Sequence, residues 1–318
     1  MSAGSPCLRC IASVAALVVG MAAAEPSVNA PLDAAALDRW WNFDDAAASE
    51  AKFRDELANL PAGSGARMEL LTQLARAQGL QRRFADANAT LDDVEATLPR
   101  MPARVSVRYL LERGRVFNSS HQPERAVPLF HAALDQAQAA DEDFLAIDAA
   151  HMLGIAAPPS ERLDWNLRAV AMTEKTQHAR AKRWLASLYN NIGWTYHERG
   201  EYERALEYFR KALPAWEARG NSGAIRAAKW SIARALRSLG RNDEALSMQR
   251  ALLAELERER AVDGFVFEEL AELELARGDP VAARPWFAKA YAALAQDPGF
   301  RADEPARLER MRELAGVR

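Results

Sequence analysis

Two groups of side chains could bind or transform another molecule, and each depends on residue type and spacing. The segment Cys7-Leu8-Arg9-Cys10 places two thiols three positions apart, as in a redox pair or half of a zinc site. Farther along, three trios share spacings of four and three residues: Asn190, Trp194 and His197; Trp230, Arg234 and Arg237; Glu268, Glu272 and Leu275. On a helix these spacings place each trio on one stripe, which indicates a binding surface.

The first 24 residues argue against chemistry at the cysteines. One positive charge precedes Cys10, residues 11–19 form an apolar run, and Ala22-Ala23-Ala24 precedes Glu25. This order is typical of a secretory signal peptide. We expect residues 1–24 to be cleaved, the mature chain to be periplasmic or secreted, and no cysteine to remain in it. The run is shorter than the roughly 20 apolar residues that span a bilayer, and an uncleaved anchor is the alternative.

Catalytic patterns are missing from the rest of the sequence. It contains no glycine-rich phosphate loop and no His-Glu-x-x-His motif, the five histidines lack metal-ligand spacing, and Gly63-Ser64-Gly65 is not a complete nucleophile elbow. A formal charge of −3, from 41 basic and 44 acidic residues, does not favour nucleic-acid binding. We predict a protein that is not an enzyme and needs neither metal nor cofactor.

The elements that carry the trios are helices. From Leu32 onward apolar residues recur with a period of 3.6 and never with a period of two, which predicts an all-α protein. Residues 25–32, with two prolines, are expected to form a linker, and residues 33–65 an N-terminal helical segment. Residues 66–300 then contain a repeat, and residues 301–318 are expected to form a helix that caps the last unit.

The repeat is clearest between Ala186 and Arg219. One predicted helix contains Gly193, a turn contains Gly200, and a second helix contains Ala205 and Phe209. Small residues permit close helix crossing, and large aromatic rings fill the remaining space. Similar units begin at residues 68, 107, 147, 186, 226 and 264, at intervals of 39, 40, 39, 40 and 38 residues. Three units depart from the pattern: the unit at residue 68 fits it at only four positions, the unit at residue 147 has Asn166 at a small-residue position, and the unit at residue 226 has Gln249 at an aromatic one.

This pattern resembles the tetratricopeptide repeat, although the usual unit has about 34 residues. The resemblance implies a right-handed superhelical solenoid of about six helix-turn-helix units with a C-terminal capping helix. It also implies that the concave surface binds a peptide, and that the three trios face this groove. Trp194 and Trp230 fit a second interpretation equally well, as core residues that pack against the preceding unit.

We therefore expect an exported scaffold or adaptor that binds a protein or peptide on its concave face. The predicted peptide-binding residues are Asn190, Trp194, His197, Trp230, Arg234, Arg237, Glu268 and Glu272. Because Arg234 and Arg237 are expected to be exposed, replacing both should leave stability almost unchanged. The alternatives are a non-catalytic subunit of an enzyme complex, or a cytoplasmic regulator that senses peptides. The sequence does not identify the partner.

Overall fold

The computed structural model describes residues 30–43 and 45–317, so the predicted signal peptide lies outside the described residues. Within these ranges the chain forms sixteen α-helices and no strand, which confirms the all-α prediction. None of the described helices is long and apolar enough to cross a membrane.

The helices follow one another through short turns. Their bounds are α1 Ala34–Trp40, α2 Ala46–Leu57, α3 Gly65–Leu80, α4 Phe84–Glu95, α5 Ala103–Ser119, α6 Pro123–Ala139, α7 Asp143–Ala156, α8 Pro159–Lys175, α9 Leu185–Glu198, α10 Tyr202–Glu217, α11 Ser222–Ser238, α12 Asn242–Glu259, α13 Gly264–Ala276, α14 Pro280–Leu294, α15 Pro298–Asp303 and α16 Pro305–Ala315. Short 3₁₀ turns lie at Leu98–Arg100 and Ala181–Trp184.

Helices α3 to α14 form six consecutive antiparallel pairs, which are the six units that the repeat predicted. The first helix of each unit is odd-numbered. Several of these first helices contact the first helix of the next unit directly: α3 contacts α5, α5 contacts α7, α7 contacts α9 and α11 contacts α13. Such contacts place the first helices on the inner side of a curved solenoid.

In the second and fourth units a small residue meets an aromatic ring where the two helices cross. A Cβ atom added to Gly193 would lie 2.5 Å from the ring of Phe209, and one added to Gly114 would lie 2.5 Å from Phe130. Both rings are fully buried. The crossing therefore requires glycine, as the repeat pattern predicted. Gly200, which ends α9, has a φ of +76°, a conformation that a side chain would strain.

The third and fifth units replace this packing with buried amides. In the third unit the Asn166 side chain lies against Gly154 and donates a hydrogen bond to its carbonyl oxygen at 3.0 Å. In the fifth unit Gln249 is fully buried, and neither its amide nitrogen nor its amide oxygen has a partner among the described residues. Buried polar groups without partners reduce stability, so Gln249 is a weak point of the core.

Both ends of the array are covered. At the C-terminal end α16 packs on α14 and buries Met311 completely. At the N-terminal end α1 and α2 pack on α3, where Leu37 and Phe53 are buried. The array also curves far enough for its ends to meet, because Asp303 lies 3.1 Å from Arg82 and 3.3 Å from His121.

Candidate functional site on the inner surface

A row of aromatic side chains crosses the inner surface from α9 to α15. The ring centroids of Trp194 and Trp230 are 5.7 Å apart, those of Trp230 and Phe265 are 5.8 Å apart, and those of Phe265 and Phe300 are 5.6 Å apart. The Trp230 indole nitrogen donates a hydrogen bond to the Phe265 carbonyl oxygen at 3.0 Å. This bond fixes the orientation of the ring between two successive units.

The two tryptophans are both core and surface residues. Trp194 packs against Phe209, with ring centroids 5.1 Å apart, and both indoles contact the central core. Each indole is nevertheless only partly buried. The two sequence interpretations are therefore not exclusive, because one side of each ring contacts the core while part of it stays accessible on the inner surface.

Arg234 and Arg237 are paired within the chain. The Arg237 guanidinium lies 2.5 and 3.1 Å from the two carboxylate oxygens of Glu269, and Arg234 lies 3.3 Å from one of them. Glu269 is fully buried. Burial alone would lower the pKa of Arg237, but the Glu269 carboxylate raises it. The expectation that these arginines are exposed surface charges is therefore wrong.

Glu268 and Glu272 also have partners within the chain. Both side chains pair with the capping helix: Arg307 donates to Glu268 at 2.7 and 2.6 Å, and Arg310 pairs with Glu272. Glu268 is 3% exposed. At this end of the inner surface the predicted binding charges are therefore already neutralised by neighbouring helices.

His197 is held in its neutral form. Its Nε2 atom lies 2.9 Å from the Ser238 hydroxyl, and its ring is 5.3 Å from that of Trp194. Burial, with the positive charges of Arg234 and Arg237, lowers the pKa of His197 to about 4. At neutral pH the ring is therefore a hydrogen-bonding group and not a charge.

A second set of buried charges lines α3, α5 and α7, and the sequence did not indicate it as a site. The Glu69 carboxylate accepts hydrogen bonds from Arg108 at 2.7 Å and from Arg104 at 3.0 Å, and Arg115 pairs with Asp148. Burial lowers the pKa of Arg108 despite the neighbouring Glu69. These ion pairs join the first helices of units one to three.

Between the two charged regions lies an uncharged stretch, which we call the central inner face and define as Ile155, Asn190, Trp194 and Trp230. The Asn190 amide is half-buried and forms no hydrogen bond with the part of the chain that the structure describes. Ile155 is 36% exposed. Here the side chains offer the Asn190 amide and apolar surface, while each charged side chain named on either side has an ion-pair partner within the chain.

The described residues do not gather side chains that could hold a metal ion. Across residues 30–43 and 45–317 no group of three or more His, Cys, Asp or Glu side chains could hold a metal ion. The inner histidines are neutral, because burial lowers the pKa of His151, like that of His197, to about 4.

Comparisons with known proteins agree with this architecture. The family model of the tetratricopeptide repeat matches residues 186–214, and no curated protein matches the sequence. Among solved structures, the apo form of RapI has a TM-score of 0.62 and 13% identity, covering 88% of this chain and 81% of that one. NprR in complex with its cognate peptide NprX has a TM-score of 0.58 and 16% identity, with 87% and 82% covered.

A tetratricopeptide repeat protein from Parabacteroides merdae has a TM-score of 0.53 and 14% identity, covering 88% of this chain and 97% of that one. At these identities the likeness concerns the fold alone. The matched repeat is the unit that was clearest in the sequence, and the whole solenoid is shared with these structures. Residues 186–214 therefore match the tetratricopeptide repeat, and the chain shares the helical-solenoid fold of tetratricopeptide-repeat proteins.

Proposed function

We propose that this protein is an exported, non-catalytic adaptor that binds a polypeptide on its inner surface, centred on α9 and α11. One observation carries the proposal: the central inner face is uncharged and open, while the charged groups beside it are paired within the chain. A bound segment would therefore first meet the Asn190 amide and the accessible parts of Trp194 and Trp230.

The chemistry of these residues suits an extended peptide. The Asn190 amide can donate to a backbone carbonyl and accept from a backbone N–H, so it can bind a peptide regardless of side-chain identity. Asn191 on the same helix has a buried amide nitrogen without an acceptor among the described residues. Trp is also among the residues that contribute most to protein interfaces.

The comparison with NprR supports the class of ligand. NprR shares the fold, and its structure contains a cognate peptide. The shared fold does not transfer the peptide's identity or the contact residues, so the residues named here rest on this chain's own geometry.

The binding experiment compares capture by wild-type protein with capture by two variants. Tagged protein is incubated with extract of the native cell envelope, and the captured proteins are quantified by mass spectrometry. Asn190→Ala combined with Trp230→Ala should reduce specific capture at least tenfold. Trp165→Ala, a matched control on the outer helix α8, should leave it unchanged. Equal capture by all three proteins would refute binding at the central inner face.

Export is tested separately, because it rests on the N-terminal sequence. Mass spectrometry of protein isolated from its native source should give a mature chain that begins at Glu25. Full-length protein recovered only from the cytosol would refute export without affecting the proposed binding surface.

A further inference from the structure

The described N-terminal residues lie on the inner surface. We call residues 30–43 the N-terminal strap. Two of its hydrogen bonds reach the inner side of α3: the Leu32 backbone N–H donates to Glu69 at 3.2 Å, and the Trp41 indole donates to Gln73 at 3.2 Å. The strap therefore covers the inner side of the first unit, in addition to packing against α2.

The strap also reaches the fourth unit. The Asp38 carboxylate lies 2.7 Å from Arg180 and 2.8 Å from Arg183, just before α9. These partners are 142 and 145 positions away in the sequence. A segment of fourteen residues thus joins α3 to the start of the helix that carries Asn190 and Trp194.

The C-terminal end of the strap is aromatic. The rings of Trp41 and Phe43 stack with centroids 4.6 Å apart, and the Arg76 guanidinium lies 5.6 and 5.5 Å from them. Such contacts between a cation and aromatic rings are favourable. The strap thus presents a carboxylate and then an aromatic pair, and arginines of the inner surface contact both.

The contacts of the strap leave polar atoms of the surface unused. The Arg108 Nε donates to the Glu69 carboxylate, which also accepts from the Leu32 backbone N–H. The buried Nη2 of Arg108 has no partner among the described residues. Glu112, which accepts from Gln73, has a similarly unpartnered Oε2. These side chains are 4% and 2% exposed. Some buried polar atoms of this surface therefore lack a hydrogen-bond partner among the described residues even with the strap in place.

We infer that the strap occupies part of the surface that binds the partner. The partner segment then resembles the strap in the order of its acidic and aromatic residues. The inference rests on the proposed function and names the partner's chemistry. The segment has an acidic residue, followed three and five positions later by aromatic residues. It binds by displacing the strap, so its carboxylate replaces that of Asp38 at Arg180 and Arg183, and its aromatic rings replace Trp41 and Phe43 on Arg76.

Displacement is feasible because the helix of the strap is short and its ion pair is accessible to water. Helix α1 has only seven residues, and the side chains of Asp38 and Arg183 are 33% and 47% exposed. Two arginines bind the one carboxylate, so this network contributes more than a single exposed pair, and water reaches it, so another carboxylate can replace that of Asp38. Leu37, at 1% exposed, is the main apolar anchor of the helix.

The test measures binding of a fluorescent peptide with the sequence of residues 30–43 to the full chain. In wild-type protein the peptide competes with the covalently attached strap and binds weakly. Asp38→Asn in the chain weakens its own strap, so the peptide should bind at least tenfold more tightly. Asp93→Asn, which removes an exposed carboxylate on α4, is the matched control and should behave as wild type.

Two further arms define the chemistry. A peptide with Asn at the position of Asp38 should bind the Asp38→Asn chain at least tenfold more weakly than the acidic peptide does. The chain variant Asp38→Asn, Arg180→Ala, Arg183→Ala should lose the preference for the acidic peptide. Equal affinity of the two peptides for the Asp38→Asn chain would overturn the proposal.

Hydrogen exchange of the wild-type chain gives a readout without any substitution. A saturating isotope-labelled peptide should accelerate exchange of the amides in α1, because they leave the surface, and unchanged exchange at saturation would overturn the proposal. Concentration-dependent dimerisation of the Asp38→Asn chain without peptide binding would assign the surface to a second copy and also overturn it. If the peptide tests fail but capture of an envelope protein is still reduced by Trp230→Ala, the strap proposal is refuted and the proposed function is retained.

Discussion

Removal of Arg237 tests whether the inner charges stabilise the fold or serve mainly a partner. Glu269 is fully buried, and Arg237 supplies both of its shortest ion-pair contacts, at 2.5 and 3.1 Å. Loss of one partner from a buried ion pair costs about 3–5 kcal/mol. Arg234 remains at 3.3 Å and Arg237 is itself 19% exposed, so we expect Arg237→Ala to cost about 2–3 kcal/mol.

The assay is thermal unfolding followed by circular dichroism. One kcal/mol corresponds to a change in Tm of about 2–4 °C in a protein of this size, so Arg237→Ala should lower the Tm by about 4–12 °C. The matched control is Arg241→Ala, since Arg241 pairs with Glu244 on an exposed surface. This control should leave the Tm essentially unchanged.

A rescue variant separates a lost charge partner from lost packing. Arg237→Ala combined with Glu269→Met removes the buried carboxylate together with its partner. Replacement of a buried ion pair by apolar residues is often neutral or stabilising, so this variant should recover most of the loss. If Arg237→Ala melts at the same temperature as Arg241→Ala, then Glu269 is solvated after the substitution, and the buried-pair reasoning is refuted.

Three further predictions concern the core and the histidines. Phe209→Ala should lower the free energy of unfolding in urea by about 3–5 kcal/mol, and Gly193→Ala by about 1–3 kcal/mol. Because a Cβ atom at position 193 would meet the Phe209 ring, Gly193→Ala should cost less when Phe209 is already Ala. Strictly additive costs in the double variant would contradict this packing. Gln249→Leu should stabilise the chain by about 1–2 kcal/mol, since it removes two buried polar atoms without partners among the described residues, and a lower Tm would indicate that they are satisfied. Burial lowers the pKa of His151 and of His197 to about 4 in the folded chain, against 6.5 in the unfolded chain. Between these pH values the unfolded chain binds more protons, so the free energy of unfolding should fall as the pH drops from 6.5 to 4. The variant His151→Gln, His197→Gln should show a weaker dependence of stability on pH, and an unchanged dependence would contradict the reasoning.

The periodicity of the sequence was sufficient to predict the helices and the six units. Apolar spacing of 3.6 residues and a small residue, glycine or alanine, at a fixed position of the repeat depend on local geometry, which every unit shares. The pairing of Gly193 with Phe209 was predictable for the same reason: both residues belong to one hairpin. The stripe that carries Asn190 and Trp194 was equally visible, because residues three and four apart share a face of a helix.

The charge partners of that stripe could not be read from the spacing within a unit. Arg234 and Arg237 meet Glu269 of the next unit, and Glu268 meets Arg307 about one repeat length away. Opposite charges separated by roughly one repeat were the available signal. Spacing alone, however, does not reveal which side chains are desolvated, and desolvation determines whether such a charge stabilises the fold or is free to bind.

The sequence by itself therefore determined the fold class, the units and the residues that share one face of each first helix. Only the tertiary structure decided which of those residues remain available. It showed that Glu269 is buried and that Asp38 crosses to Arg180, contacts that depend on how far the solenoid curves. Curvature accumulates from small rotations between successive units. No local pattern of residues specifies this accumulated rotation. Contacts between distant parts of the chain therefore cannot be predicted before the whole array is assembled.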